Sequence, residues 1–214
     1  MENNIQFKTK IAECGARRYV KNRRFTYRSL AAELNVDETE ITKHFSNRSS
    51  ILRYFYESRI LLHQEQTNQI DDYISFSLGE KLSNLFLTLF DMFDEHREFV
   101  NLTYDELAIK HPDSCFKKLF LNEIEQIFSS DKRIAASSRV FVNQRIYLFM
   151  FYSFNIILKS CFSDDAKTHE HCMALTDKLC SFIEELFYTQ ILDKGFDLGK
   201  YLIYNSPLKS IIKK

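Results

Sequence analysis

The scarcity of glycine and proline is the feature that most limits what this chain can fold into. Its 214 residues include only 4 Gly and 2 Pro, against roughly 7% and 5% in an average protein. Folds built from β-strands need turn residues about every 8 to 12 positions, which this chain cannot supply. The composition therefore predicts an all-α protein with short connections. It also excludes the glycine-rich loops that hold phosphates in P-loop and dinucleotide-binding folds.

The apolar segments and the cysteines indicate the cellular compartment of the protein. The first residues are polar and contain no apolar stretch of the kind found in a secretory signal. The most apolar run, residues 146–158, is 13 residues long, whereas a membrane span needs about 20. The 5 cysteines are scattered without a C-x-x-C spacing, which predicts reduced and mostly buried thiols. The expected protein is cytoplasmic and does not enter a membrane.

Helix boundaries follow from apolar spacing and from capping residues. Thr26 is placed to cap a second helix, Asn35 to end it in a left-handed conformation, and Asp37 to start a third with Glu40 in capping-box spacing. Pro112 is expected in the first turn of a later helix. The predicted helices cover residues 5–20, 27–34, 38 to about 45, 48 to about 74, 78–94, 98–110, 113–129, 133–162 and 166–192.

The second and third helices form a helix-turn-helix pattern. Only residues 35–37 separate them, which is typical of that motif. Apolar side chains are placed to close a small core between the first helices: Leu30, Ala31, Leu34, Val36, Ile41 and Phe45. The same spacing leaves polar side chains on the outer face of the third helix: Glu38, Thr39, Thr42 and Lys43.

Residues 26–52 resemble the DNA-binding region of the TetR family of transcriptional regulators. The positions that fall in register without a gap are Leu30, Ala31, Leu34, Val36, His44, Phe45 and Leu52. Asn35 stands where the family has a turn glycine, Thr42 where it has a tyrosine, and Arg48 where it has a lysine. The length of the chain and its helical C-terminal part are also similar to this family.

The resemblance implies a division of labour within the chain. Residues 1–50 would form the helix-turn-helix DNA-binding domain, and residues 51–214 a larger helical domain for effector binding and dimerisation. The helices predicted over 133–162 and 166–192 would pair with their mates in a four-helix bundle. The implied partners are a second copy of the chain, a palindromic operator in double-stranded DNA, and a small-molecule effector.

The charge distribution agrees with this division although the net charge is zero. Residues 1–60 hold 12 basic and 7 acidic side chains, a net charge of +5, and the remainder carries −5. A basic lobe of this kind is drawn toward phosphates. The residues expected to contact DNA are Thr26, Tyr27, Arg28, Glu38, Thr39, Thr42, Lys43, His44 and Arg48.

Several of these residues have two readings. Arg28 suits a phosphate or a guanine edge, and the threonines suit thymine methyl groups. Glu38 suits a cytosine amino group, whereas Glu40 is better explained by capping and by the helix dipole. His44 is either a half-buried residue that holds the turn or, as the family implies, a phosphate donor.

The phenylalanine-rich C-terminal part has a structural and a functional interpretation. Packing in a core is the simpler one. The resemblance implies an effector pocket, and an aromatic lining with few polar groups suits an apolar or flat aromatic ligand. The candidate residues are Phe90, Tyr104, Phe120, Asn143, Tyr147 and Phe151.

No sequence motif indicates catalysis or a cofactor. His169 and Cys172 have a spacing that could hold a metal ion, but a solvated helix start explains them better. The sequence therefore predicts a transcriptional regulator, a repressor rather than an enzyme, without cofactor or metal. The alternative is an all-α protein-interaction module that has lost DNA binding. Glu38 and Glu40 on the reading helix favour that alternative, as does the absent tyrosine at position 42.

Overall fold

The computed structural model describes residues 2–163 and 167–189, together with 194, 195, 197, 200 and 201. These residues contain helices and no strand, which confirms the all-α prediction. None of the helices described is long and apolar enough to cross a membrane. The α-helices are α1 (Glu2–Asn22), α2 (Tyr27–Leu34), α3 (Glu38–His44), α4 (Arg48–Thr67), α5 (Leu78–Asp94), α6 (Arg97–Thr103), α7 (Phe116–Ser130), α8 (Gln144–Ser163) and α9 (Lys167–Tyr188).

Local capping explains why three of the helices begin where they do. Reciprocal capping boxes join Thr26 to Ser29 before α2, Asn47 to Ser50 before α4, and Ser77 to Glu80 before α5. Asn35 ends α2 with φ 53° and ψ 48°, the predicted left-handed conformation. The bounds of α2 and α5 coincide with those predicted, because these signals lie within a few residues of each helix end.

Helix ends that depend on distant contacts differ from the prediction. The prediction that α4 continues to residue 74 is wrong, because Ile70 and Ile74 find no core to join and are exposed beyond its end at Thr67. The predicted helix 98–110 is divided into α6 and a π-helical turn, Tyr104–Lys110. Pro112 lies before α7 rather than in its first turn.

The segment before α8 is also not the predicted helix. Residues 131–143 contain only a short 3-10 turn, Ser138–Phe141, and α8 begins at Gln144 rather than near residue 133. The carboxylate of Asp131 holds this segment: it accepts hydrogen bonds from the backbone N–H of Arg133 at 2.8 Å and from the hydroxyl of Tyr188 at 2.5 Å. Residues 166 and 190–192, the predicted ends of the last helix, lie outside the described residues.

A disulfide joins Cys161, near the end of α8, to Cys172 in α9, with their Cα atoms 5.7 Å apart. The prediction of reduced thiols is therefore wrong for this pair. The two positions are 11 residues apart, and only the packing of α8 on α9 brings them together. Cys172 is consequently not available to the metal pair considered with His169, whose side chain lies outside the described residues. Cys14 and Cys180 are buried free thiols, and Cys115 is exposed.

Helix α4 connects the N-terminal helices to the C-terminal ones. It packs on α1 at its N-terminal half and on α5 and α7 further along. Gly15 allows α1 to lie this close, since a Cβ atom there would be 2.9 Å from Cγ2 of Ile51. The helix runs without interruption through residue 50, so the division of the chain at that point stays a prediction.

A buried ion pair fixes α1 against α4. The side chain of Arg59 is 2% exposed, and its guanidinium donates to the carboxylate of Glu13 at 2.7 Å. The guanidinium also donates to the Phe55 carbonyl at 3.3 Å and lies 4.6 Å from the centre of the Phe55 ring. A buried charge is tolerated only when it is neutralised and hydrogen-bonded in this way.

We expect Glu13→Gln to destabilise the protein, because it leaves the buried Arg59 guanidinium without a counter-charge. The loss in free energy of unfolding should be about 2 to 4 kcal/mol, measured by urea denaturation. Arg17→Gln is the matched control: it removes a cation from the surface pair with Glu33 and should cost less than about 1 kcal/mol. Equal effects of the two substitutions would contradict the role given to Arg59.

Candidate DNA-binding interface

Helices α2 and α3 meet at a turn whose apolar side chains form the predicted small core. Leu30, Ala31, Ile41 and Phe45 are buried, and Leu34 and Val36 are partly buried against them. Ser29 and Thr26 cap each other at the start of α2, with 3.1 Å between each backbone nitrogen and the opposite hydroxyl oxygen. This core holds α3 with one face inward and the other free.

The outer face of α3 carries the predicted reading residues. Glu38, Thr39, Thr42 and Lys43 are all exposed. Asp37 precedes α3 as predicted, but the capping box with Glu40 does not form: the Glu40 backbone N–H donates to the Asp37 carbonyl at 3.0 Å rather than to its side chain. The carboxylate of Glu40 pairs with the ammonium of Lys43. That ammonium lowers the pKa of Glu40. Glu40 is therefore a partner of Lys43.

Two of the predicted phosphate-contacting residues also brace the motif internally. The hydroxyl of Tyr27 donates to the carbonyl of Phe45 at 3.2 Å, joining the start of α2 to the end of α3. Arg48 donates from Nη1 to the carbonyl of Phe25 at 3.0 Å. Burial raises the pKa of Tyr27, so its hydroxyl stays protonated and able to donate near neutral pH. Arg28 is exposed on α2.

The start of α1 lies beside the end of α3, which the sequence did not indicate. Phe7 contacts the ring of His44 edge-on, with 5.7 Å between centroids, so His44 is half-buried. The ammonium of Lys8 lies 4.1 Å from the centre of the Tyr54 ring and 5.7 Å from that of Phe45. Lys8 therefore adds a positive charge next to α3. The apolar spacing of residues 5–20 predicted α1 but not the elements on which α1 packs. Lys8 was therefore not among the residues expected to contact DNA.

Comparison with known proteins adds an independent observation on the C-terminal part. The family model described as "Tetracyclin repressor-like, C-terminal domain" matches residues 81–202, which is more than half of the chain. The chain belongs to the TetR family. No curated protein matches the sequence. The matched range lies outside the helix-turn-helix, so the two parts of the chain indicate TetR membership separately.

Four of the candidate effector residues of this TetR protein lie in a packed aromatic core. Phe90, Tyr104, Phe120 and Phe151 are buried. The rings of Phe120 and Phe151 have centroids 5.4 Å apart, and the Tyr104 hydroxyl donates to Oδ1 of Asn155 at 2.8 Å. Asn143 and Tyr147 lie apart from this core, on an open groove of about 680 Å³ that also includes Lys117 and Lys118. The structure therefore does not bring the six together into one pocket.

Helices α8 and α9 of the TetR domain expose apolar side chains. On α8 these are Phe149, Tyr152 and Ile156, which recur at helical spacing. On α9 they are Met173, Leu175, Phe182 and Leu186. Because α8 and α9 pack on each other, their exposed residues form the α8–α9 surface. Large apolar side chains grouped on an exposed surface in this way often mark an interaction site.

We expect Tyr27→Phe to lower the free energy of unfolding by about 1 kcal/mol, because the Phe45 carbonyl loses its side-chain donor. Urea denaturation measures the change. Tyr147→Phe serves as a control, since the Tyr147 hydroxyl makes no hydrogen bond to the described residues and the substitution should alter stability by less than about 0.5 kcal/mol. If Tyr27→Phe is as stable as the control, the hydroxyl is not a brace.

Proposed function

We propose that this protein is a transcriptional repressor that reads DNA with α3. The observation that carries the proposal is the exposed polar face of α3, held from behind by buried Ile41 and Phe45. In the major groove, Thr39 and Thr42 meet thymine methyl groups or base edges, and Lys43 meets guanine or phosphate. Glu38 accepts from a cytosine amino group. Membership of the TetR family supports the same function.

Phosphate contacts on either side of α3 would fix its register on the duplex. Thr26 and Tyr27 present the start of α2, and Arg28 extends from its first turn. Arg48 begins α4 and keeps donor groups beyond its bond to Phe25. His44 lies at the end of α3, where a ring nitrogen can donate to a phosphate. Lys8 joins these residues as an additional cation.

A second copy of the chain would cover the α8–α9 surface. Two such helix pairs form a four-helix bundle, which removes the exposed Phe149, Ile156 and Phe182 from water. A two-fold dimer places two copies of α3 about 34 Å apart along the DNA, matching half-sites of a palindromic operator. Dimerisation and a palindromic operator are thus parts of one proposal.

Release from DNA would follow from effector binding in the C-terminal part. Helix α4 carries Arg48 at one end and contacts α5 and α7 at the other. At 1.5 Å per residue, its 20 residues span about 30 Å. A ligand that binds one tilt of α4 more tightly than another shifts the separation of the two α3 helices. Binding of an apolar effector among Phe90, Phe120 and Phe151 requires these rings to move apart.

The second candidate function is a protein-interaction module without DNA binding. The ion pair between Glu40 and Lys43 favours it, because the principal cation of α3 is already neutralised. DNA binding would require Lys43 to exchange this carboxylate for a phosphate or a guanine. The two functions differ in whether charge reversal on α2 and α3 weakens the binding of DNA.

Fluorescence anisotropy with DNA from upstream of the protein's own gene tests the proposal at several salt concentrations. We expect salt-dependent binding, with log K falling by about 0.9 per phosphate contact for each unit of log salt. Lys43→Glu and Arg28→Glu should weaken it by at least about tenfold. Lys118→Glu makes the same charge change in the C-terminal part and should preserve it. No salt-dependent binding by the unaltered protein would favour the interaction module.

Ile156→Glu tests the dimer, because it places a carboxylate in the middle of the α8–α9 surface. Size-exclusion chromatography with light scattering should show a dimer for the unaltered protein and a monomer for the variant. Ile74→Glu is the control: Ile74 is also exposed but lies outside α8 and α9, so its variant should stay dimeric. If the Ile156→Glu variant is dimeric, the dimer interface lies elsewhere. If the unaltered protein is a monomer, the proposed dimer does not form.

A further inference from the structure

A pocket of about 410 Å³ opens where the end of α4 meets the α4–α5 connection and α7. It is separate from the packed aromatic core and from the groove at Asn143. Its lining is mixed, with Ile127 among polar side chains that include Gln64, Tyr73, Lys81 and Glu123. A pocket of this volume accommodates a small organic molecule.

Lys81 gives the pocket an unneutralised buried cation. The residue is 4% exposed. Its ammonium donates to the Ile74 carbonyl at 3.3 Å and lies 5.9 Å from the centre of the Tyr73 ring. No carboxylate of the described residues forms an ion pair with it. Because a buried ammonium without a counter-charge is costly, the site is suited to an anion.

Tyr73 supplies a second donor to the same pocket. Its hydroxyl oxygen is buried and has no hydrogen-bond partner among the described residues. Burial raises the pKa of Tyr73, with a smaller contribution from Glu123, so the hydroxyl keeps its proton. A buried hydroxyl that bonds to nothing costs stability, and a ligand oxygen beside Lys81 would satisfy it.

Glu123 presents an acceptor to the pocket from α7. The carboxylate of Glu123, 5% exposed as a residue, accepts from the Gln64 amide at 2.6 Å. Its other oxygen lies 3.5 Å from Nδ1 of His63, which makes no hydrogen bond, while Nε2 of His63 lies 3.0 Å from Oδ1 of Asn84. A carboxylate oxygen accepts more than one hydrogen bond. The pocket therefore has a cationic donor from α5 and an anionic acceptor from α7.

We infer that this pocket binds a small organic carboxylate that also carries a hydroxyl group. The ligand carboxylate is bound by the Lys81 ammonium and the Tyr73 hydroxyl, and the ligand hydroxyl donates to Glu123. The inference rests on the proposed effector role and places the effector here rather than among the phenylalanine rings. It replaces an apolar ligand with an anionic one.

The position of the pocket connects it to the DNA-binding helices. Gln64 and Thr67 line it from the last turns of α4, and Arg48 begins the same helix beside α3. A ligand that draws Lys81 and Glu123 together bears on the end of α4 that lies furthest from α3. Regulation then needs no rearrangement of the aromatic core.

Isothermal titration calorimetry without DNA tests the site with three related probes. 4-Hydroxyphenylacetate carries both groups, phenylacetate lacks the hydroxyl, and 2-(4-hydroxyphenyl)ethanol lacks the carboxylate. We expect the first to bind most tightly, phenylacetate more weakly, and the alcohol not at all at concentrations up to about 10 mM. Lys81→Met should weaken binding of 4-hydroxyphenylacetate by at least about tenfold, and Tyr73→Phe by a smaller factor. Lys118→Met, the same substitution on an exposed lysine, should leave it unchanged.

Thermal unfolding provides a second readout. Without ligand, Lys81→Met should raise Tm by about 2 to 4 °C, because it removes an unneutralised buried charge. The inference is overturned if Lys81→Met binds the probe as the parent does, if the alcohol binds equally well, or if neither carboxylate binds the folded parent. An apolar effector among the phenylalanine rings would bind without regard to Lys81. Binding of DNA by the Lys81→Met variant is measured separately, so loss of this site and loss of the regulator are told apart.

Discussion

Arg59 carries a guanidinium into a region that water does not reach, and the arrangement of α1 and α4 depends on how that charge is accommodated. Glu13 neutralises it from α1, and the Phe55 ring and carbonyl receive it on α4. A charged pair tolerates less displacement than apolar contacts do, because separating the charges in a medium of low dielectric costs energy steeply. Helix α1 is thereby held in one position on α4. Since α1 also lies beside the end of α3 through Phe7 and Lys8, the ion pair orients α3 relative to the C-terminal part.

Capping residues close to the helix ends predicted the helix-turn-helix from sequence. Helix ends that depend on packing against distant parts of the chain were not predicted. The capping hydroxyl of Thr26 and the left-handed Asn35 each act within four residues, so α2 could be bounded without knowing the fold. The end of α4 and the start of α8 depend on what packs nearby: Ile70 has no core to enter, and Asp131 bonds to Tyr188 far along the chain. The disulfide of Cys161 with Cys172 likewise depends on the packing of α8 on α9.

The candidate sites could likewise be predicted only where local sequence determines which residues are exposed. The exposed residues of α3 followed from apolar spacing alone, because their inward neighbours were identifiable. In the sequence, Lys81 and Glu123 resemble the charged residues found on solvent-exposed faces of helices. The structure shows that both are buried and line one pocket. Phe90 and Phe120 presented the reverse difficulty. An aromatic residue in a packed core and one that lines a ligand pocket have the same pattern in a sequence. In this structure the rings pack against each other and fill the space between them.

The capping boxes of α2 and α4 differ in charge from that of α5. Ser29 and Ser50 complete the boxes of α2 and α4 with hydroxyl groups, whereas Glu80 completes that of α5 with a carboxylate. Hydroxyl and amide caps carry no charge and do not titrate, so the positive ends of α2 and α4 are not offset by a fixed anion. The starts of α2 and α4 therefore keep the full positive potential of their backbone dipoles, whereas the carboxylate of Glu80 offsets that potential at the start of α5.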